Sequence, residues 1–476
     1  MKSSQFMIAA ASSGSGKTVI SCALMAAFLQ KGMKTAACKC GPDYIDPMFH
    51  REVLGIESEN LDLFFCEPDI LRLLFLEHTR CAEVTVIEGV MGYYDGMALD
   101  SDRASSCHVA ETLEIPVILT VPCKGMALSV VPMILGMLQF RRESHIQGIL
   151  LNRVSKMLYP KLKAVIEAEL EERGYHIPVV GYVPEDEVFG LESRHLGLVT
   201  PQEVTGIRER LSEAGRILST TVDLELLLEI GRNSGPAEEV TGTQDQKSQN
   251  NMRAGQRPAP EKQENRAKTV RIGIARDEAF CFYYKDNLEL LKKSGCELVP
   301  FSPLYDSGLP EGIQGLILGG GYPELYTKQL SQNSGMCMSV RNAVEKGMPC
   351  LAECGGFMYL HEEMEGKDGI LRSVAGVIKG QAVRQNRLVR FGYIDLQAQM
   401  DGTFFKKGEC LKGHEFHYWD STNNGAGCLA VKPDKKRSWE CIHMEGSLFA
   451  GYPHIHFYSN PVFAERFITS CREYQS

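Results

Sequence analysis

Pro349-Cys350-Leu351-Ala352-Glu353-Cys354-Gly355-Gly356-Phe357-Met358-Tyr359-Leu360 decides the fold of the second half of this chain and points to its chemistry. A short apolar run ends at a cysteine, two glycines follow, and a helix-prone segment begins. That order fits a nucleophile elbow. Such a strand-to-helix turn lifts a nucleophile clear of a sheet and aims the next amide at a developing oxyanion. A helix N-terminus beneath Cys354 favours its thiolate, because the helix dipole stabilises negative charge there. Cys354 is the candidate nucleophile, and Gly355 offers one oxyanion-hole amide.

A thiolate that opens an amide also needs a base. Gly451-Tyr-Pro-His-Ile-His-Phe457 follows an expected strand over 448–452 and offers both His454 and His456. Alternate residues of an extended segment face opposite ways, so only one of them can meet Cys354. Gly319-Gly-Gly-Tyr-Pro-Glu324 follows an expected strand over 315–318, and Gly320 is the second oxyanion candidate, although a glycine run alone also makes a plain turn. Gly413-His-Glu-Phe-His417 alternates like an edge strand, and its spacing assigns its histidines no chemistry.

The other end of the chain carries a phosphate cradle. Ala11-Ser-Ser-Gly-Ser-Gly-Lys-Thr18 departs from G-x-x-x-x-G-K-[ST] only at Ala11, and it sits between an expected strand over 6–11 and an expected helix over 18–31. Gly14, Ser15 and Gly16 supply backbone amides for phosphate oxygens, Lys17 neutralises charge, and the Thr18 hydroxyl can ligate Mg²⁺. Lys39-Cys-Gly-Pro-Asp-Tyr-Ile-Asp-Pro47 and Glu88-Gly-Val-Met-Gly-Tyr-Tyr-Asp-Gly96 each follow an expected strand. In an open parallel sheet ligands gather beyond the carboxyl ends of the strands, which makes Asp46 and Glu88 the further metal-ligand candidates. ATP and Mg²⁺ are the expected co-substrate and cofactor.

Between the two sites the composition changes. Residues 231–268 carry almost no large apolar side chain, so they cannot bury enough surface to offset the entropy of ordering, and they read as a flexible linker. On either side, over 1–230 and 269–476, apolar runs alternate with amphipathic ones. Strands are expected over 83–87, 115–121, 148–151, 178–183, 270–275 and 297–301, and helices over 156–173, 282–294 and 340–346. The expected fold class is α/β, with two doubly wound domains joined by the linker. A net charge of -9 argues against nucleic-acid partners, and no apolar stretch is long enough for a bilayer. Sixteen cysteines without a Cys-x2-Cys pair suit small core residues in a reduced cytoplasm better than disulfides or zinc, and no signal-peptide pattern opens the chain.

The loops after the strands carry a family resemblance. Lys39 to Pro47, Glu88 to Gly96, Arg194-His-Leu-Gly-Leu198 and Gly413 to His417 closely resemble cobyrinate a,c-diamide synthases, glutamine-dependent amidotransferases of cobalamin biosynthesis. The first half of that family is similar to dethiobiotin synthetase and the second to class I glutamine amidotransferases. The resemblance implies ATP-dependent amidation of the a and c carboxylates of cobyrinate through acyl phosphates, with ammonia from glutamine. It implies that Asn152 contacts the nucleotide base, although a strand-end turn residue is an equal reading. It places Asp43, Asp95, Lys39, Arg194 and His195 around the substrate or acyl phosphate; the three basic groups could equally be solvated surface charges.

In class I amidotransferases a glutamate stands two positions after the base histidine. Here that position is His456, so the resemblance assigns His454 as base and implies a Cys–His dyad with a slower glutaminase. After the expected fourth strand the chain reads Val121-Pro-Cys-Lys-Gly-Met126, without the family's usual aspartate. The expected partners are a tetrapyrrole, glutamine and ATP, with a homodimer left open. Hydrogenobyrinate or nickel–sirohydrochlorin would suit the same motifs. A P-loop switch ATPase with an inactive amidotransferase-like module is the remote alternative, and it leaves Cys354 unexplained.

Overall fold

The structure, a computed structural model, describes residues 3–190, 201–232 and 269–474. In the first half, seven strands form one sheet: β1 (Ser4–Ala10), β2 (Thr35–Cys40), β3 (Ser58–Leu61), β4 (Val84–Glu88), β5 (Val117–Pro122), β6 (Ile146–Asn152) and β7 (Val179–Val183). Their order is β3-β2-β4-β1-β5-β6-β7, and every pairing is parallel. Strands such as Val84–Glu88 are buried along their whole length, as a parallel sheet covered on both faces requires. From β4 the chain crosses β1 to reach β5, so the sheet grows outward on both sides of β1. The crevice expected at such a reversal opens at the carboxyl ends of β1 and β4, where α1 (Lys17–Gln30) also begins.

The second half is built around β8 (Val270–Ala275), β9 (Cys296–Phe301), β10 (Gly315–Leu318), β11 (Cys350–Glu353) and the strand Leu448–Gly451. All their pairings are parallel, in the order Leu448–Gly451, β11, β10, β8, β9. Between β11 and Leu448–Gly451 the chain inserts a mixed four-stranded sheet and most of a five-stranded antiparallel one, neither of which its periodicity announced. Cys410–His417 is an interior strand, not an edge: Arg390–Ala398 flanks it on one side and His454–Ile455 on the other. Its second neighbour comes from far along the chain, which local alternation cannot reveal.

Two other expectations shift. The helix read over 282–294 is confined to Lys285–Lys293, because Phe282, Tyr283 and Tyr284 lead into it in other conformations, with Phe282 and Tyr284 packed on the Tyr44 ring. The helix Leu224–Arg232 runs two residues into the segment read as linker, with Gly231 against Ser4 and Gln5 of β1; the remainder, 233–268, lies outside the described residues.

The two halves are in contact. Phe282, Tyr284 and Tyr322 of the second half join the apolar cluster of the first. Phe64 stacks on Tyr393 with 4.4 Å between ring centroids, and the Tyr393 hydroxyl donates to the buried Asp62 carboxylate at 2.8 Å. Lys285 pairs with Glu57 and Glu59 at 2.9 and 3.1 Å. Among the described residues no helix is long and apolar enough to cross a membrane.

Candidate active site

The phosphate cradle forms between β1 and α1. Gly14 and Gly16 have φ of 74° and 84°, the left-handed region that side chains disfavour. At Gly16 a Cβ would also come within 3.1 Å of the Asn152 amide. The Asn152 side chain, at the end of β6, donates to the Ser15 carbonyl at 2.9 Å and so braces the loop. The Lys17 ammonium donates to the carbonyls of Ser12 at 3.0 Å and Met91 at 2.5 Å. Burial, together with the nearby Lys39 charge, lowers Lys17 to about 8.

Three candidate metal ligands converge beside it. The Thr18 hydroxyl donates to Glu88 Oε1 at 2.5 Å, and the Lys39 ammonium bridges Glu88 Oε1 and Asp46 Oδ2 at 2.7 Å each. His50, on a π-helical turn, reaches within 3.6 Å of Glu88 Oε2, which is buried without a hydrogen-bond partner. Burial works against the Glu88 charge, but Lys39 and His50 hold it ionised; burial and the Glu88 charge together push Asp46 up. Hard oxygen donors with one orphaned carboxylate oxygen fit Mg²⁺, and Lys39 already answers part of that negative charge.

In the second half β11 ends in the expected elbow. Cys354 has φ 47° and ψ -101°, a conformation rare for a residue with a side chain, and the helix Gly355–Tyr359 follows at once. Cys354 is 8% exposed, and it interacts electrostatically with the His454 side chain. His454 Nδ1 has no hydrogen-bond partner of ordinary length, and Glu353 Oε2 lies 3.7 Å from it. Burial opposes a charge on His454, but its interaction with Cys354, and then with Glu353, carries it up to about 9. Gly320 lies against this ring: a Cβ there would come within 2.4 Å of His454 Cε1.

Residues 6–199 match the CobQ/CobB/MinD/ParA nucleotide binding domain, and residues 271–462 match the CobB/CobQ-like glutamine amidotransferase domain. A cobyrinate a,c-diamide synthase of Caldanaerobacter subterraneus is 39% identical over 474 residues, covering 98% of each chain. One from Listeria innocua is 38% identical, covering 96% of this chain and 97% of its own, and one from Salmonella typhimurium is 36% identical, covering 98% of each. The chain belongs to the cobyrinate a,c-diamide synthase family.

In this cobyrinate a,c-diamide synthase family member the two histidines of residues 451–457 separate. His454 turns to Cys354, whereas His456 stacks on Phe65 at 5.1 Å and approaches Cys66 and Asp286 at 3.9 and 3.8 Å. Burial lowers His456 to about 3, so it is neutral. Asp43 caps its own loop, accepting from the Ile45 amide at 2.8 Å, and Asp95 accepts from the Gly92 amide at 2.9 Å. Lys39, read from sequence as a substrate contact, is 5% exposed and engaged by both carboxylates. Arg194 and His195 lie outside the described residues. A cleft of about 290 Å³ beside Gly16, Ile20 and Asn152 continues past Arg153 to Pro184.

Three residues of this arrangement escaped the sequence reading, His50 among them. Tyr44 sits inside a quoted motif, where a bulky aromatic between two candidate aspartates was a signal. Glu353 was visible beside Cys354, but its role depends on a histidine brought from far along the chain.

Proposed function

We propose that this chain amidates the a and c carboxylates of cobyrinate, consuming ATP and taking ammonia from glutamine. The observation that carries the reading is the juxtaposition of two reactive sites in one chain: the loop bearing Asp43 and Asp46 also bears Tyr44, whose ring lies 5.1 Å from His454.

In the glutaminase half, the Cys354 thiolate attacks the glutamine amide carbon. Amides of Gly355 and Gly320 stabilise the oxyanion, and His454 gives its proton to the departing nitrogen as the C–N bond breaks. Water then releases glutamate from the thioester. In the other half, a carboxylate of the tetrapyrrole takes the γ-phosphoryl group of ATP, and ammonia displaces phosphate from the acyl phosphate. Lys17 and the cradle amides balance charge on the transferring group. Thr18, Glu88 and Asp46 would hold Mg²⁺, which when bound supplies further neutralisation of the phosphates. Asn152 serves the nucleotide by shaping the cradle and lining the adjoining cleft. Ammonia protonates in bulk water, and the packed aromatic contact between the halves supports a shielded passage.

All sixteen cysteines are free, which supports a reduced, cytoplasmic setting. The reading admits a homodimer, which light scattering measures. The decisive experiment incubates purified protein with cobyrinate, ATP and glutamine and follows mass, with Cys354→Ala in parallel. Two successive amide additions, retained by the variant only with ammonia, are expected. Glutaminase activity without amidation of cobyrinate would redirect the reading to hydrogenobyrinate or nickel–sirohydrochlorin.

A further inference from the structure

The residue two positions after His454 is His456, which faces the other half of the molecule, so the usual carboxylate partner of the base is missing from its usual place. The fold supplies one from elsewhere. Strand β11 runs parallel to Leu448–Gly451 with Glu353 opposite Gly451, and the chain then turns through Tyr452 and Pro453 into His454–Ile455. The base therefore returns beside the residue that precedes the nucleophile. Glu353 Oε1 accepts from the Ile455 amide at 3.2 Å, and Oε2 faces His454 Nδ1 at 3.7 Å.

We propose that Glu353 is the positioning carboxylate of the glutaminase, completing a Cys354–His454–Glu353 relay in which the acid adjoins the nucleophile in sequence. This rests on the glutaminase reading of Cys354 and His454. One carboxylate oxygen anchors the backbone just past the base, and the other fixes the ring and balances its positive charge. At 3.7 Å the contact is an ion pair longer than a hydrogen bond, and catalytic contacts of this kind tighten once substrate is bound.

The other groups against the ring cannot substitute. His414 stacks on it with 5.0 Å between centroids and is kept neutral by burial and the His454 charge. Tyr44, 5.1 Å away, is held protonated by burial. Among the described residues, Glu353 is the one carboxylate paired with His454. During the reaction the proton passes from His454 to the leaving nitrogen, and Glu353 keeps its charge throughout, as the acid of a hydrolytic triad does.

Glu353→Gln preserves shape and an acceptor for the Ile455 amide but removes the charge. It is expected to lower the glutaminase kcat on the order of 100-fold. The alkaline limb of kcat/KM for glutamine should also move about one pH unit lower, since an opposite charge at this range stabilises the imidazolium by that amount or more. Ammonia-dependent amidation should persist, showing that the variant is folded, and Glu353→Asp should recover part of kcat. A wild-type kcat and pH profile in Glu353→Gln would reduce Glu353 to a backbone anchor. Should Glu353→Gln not fold, NMR titration of ¹³C-labelled His454 in Cys354→Ser reads the same pairing with Glu353 intact. A His454 value above the ordinary 6.5 without the thiolate is expected, and a value at or below it overturns the proposal. If Cys354→Ala itself kept glutaminase activity, the underlying reading would fall instead.

Discussion

Tyr44, in the loop that carries Asp43 and Asp46, packs its ring 5.1 Å from the ring of His454, the candidate base of the other half. The same ring stacks on Phe282 at 5.2 Å and meets Tyr284 at 4.6 Å and His414 at 5.6 Å. A single side chain of the loop bearing the candidate carboxylates thus touches the candidate base of the other half, so the two candidate sites share a wall.

Removing that wall should uncouple them. Tyr44→Ala is expected to let nascent ammonia escape, so that glutamate formed exceeds amide formed by roughly several-fold, while a packing loss of about 3–5 kcal/mol weakens the interface. Parallel assays of glutamate and amide, with glutamine and then with ammonia, measure it. An unchanged ratio of the two products would mean that Tyr44 is only a packing residue.

Lys39 holds the synthetase site together electrostatically. Lys39→Met leaves the buried Glu88 and the half-buried Asp46 side by side without their shared cation, and should destabilise the chain by about 3–5 kcal/mol. Urea denaturation followed by fluorescence checks the magnitude. A loss below about 1 kcal/mol, the range of surface pairs, would show that the carboxylates find another partner.

The glutaminase should hold its activity well into the alkaline range. His454 is raised from 6.5 to about 9, so its imidazolium is held near neutrality and is lost as pH rises through about 9. The stability it contributes follows the same sign: complete below the ordinary histidine value and gone above the raised one. A kcat/KM profile for glutamine that falls near 7.5 would contradict this.

The interface has its own pH signature. Burial pushes Asp62 up to about 6, and the Tyr393 hydroxyl opposes that rise by donating to it. A raised carboxylate contributes stability at low pH that is lost as pH rises through about 6. Tyr393→Phe should therefore destabilise by about 1–2 kcal/mol at pH 7 and by less at pH 4.5. Thermal melts at the two pH values measure the difference, and an equal deficit at both would show that Asp62 is protonated throughout.

The two candidate sites were legible because their signals are local. The cradle from Ala11 to Thr18 and the elbow from Pro349 to Leu360 are strand–turn–helix units written in consecutive residues, and the backbone angles of Gly16 and Cys354 are those the motifs demand. The linker read over 231–268 rested on composition alone, and it erred by two helical residues where Gly231 meets β1. The two inserted sheets went unread because strands such as Arg390–Ala398 are only half buried and gain their partners across long intervals of chain.

Consecutive residues were enough to nominate the candidate groups: Cys354, a histidine of residues 451–457, Lys17, and the carboxylates Asp46 and Glu88 in segments that follow β2 and β4. The tertiary structure alone decided how they are supported. Glu353 meets the His454 segment across 102 residues, Lys39 meets Glu88 across 49, and Tyr44 meets His454 across the junction of the halves. Local motifs are fixed by neighbouring torsions and hydrogen bonds, whereas partners at such separations are chosen by strand order and by which faces the packed halves bring together.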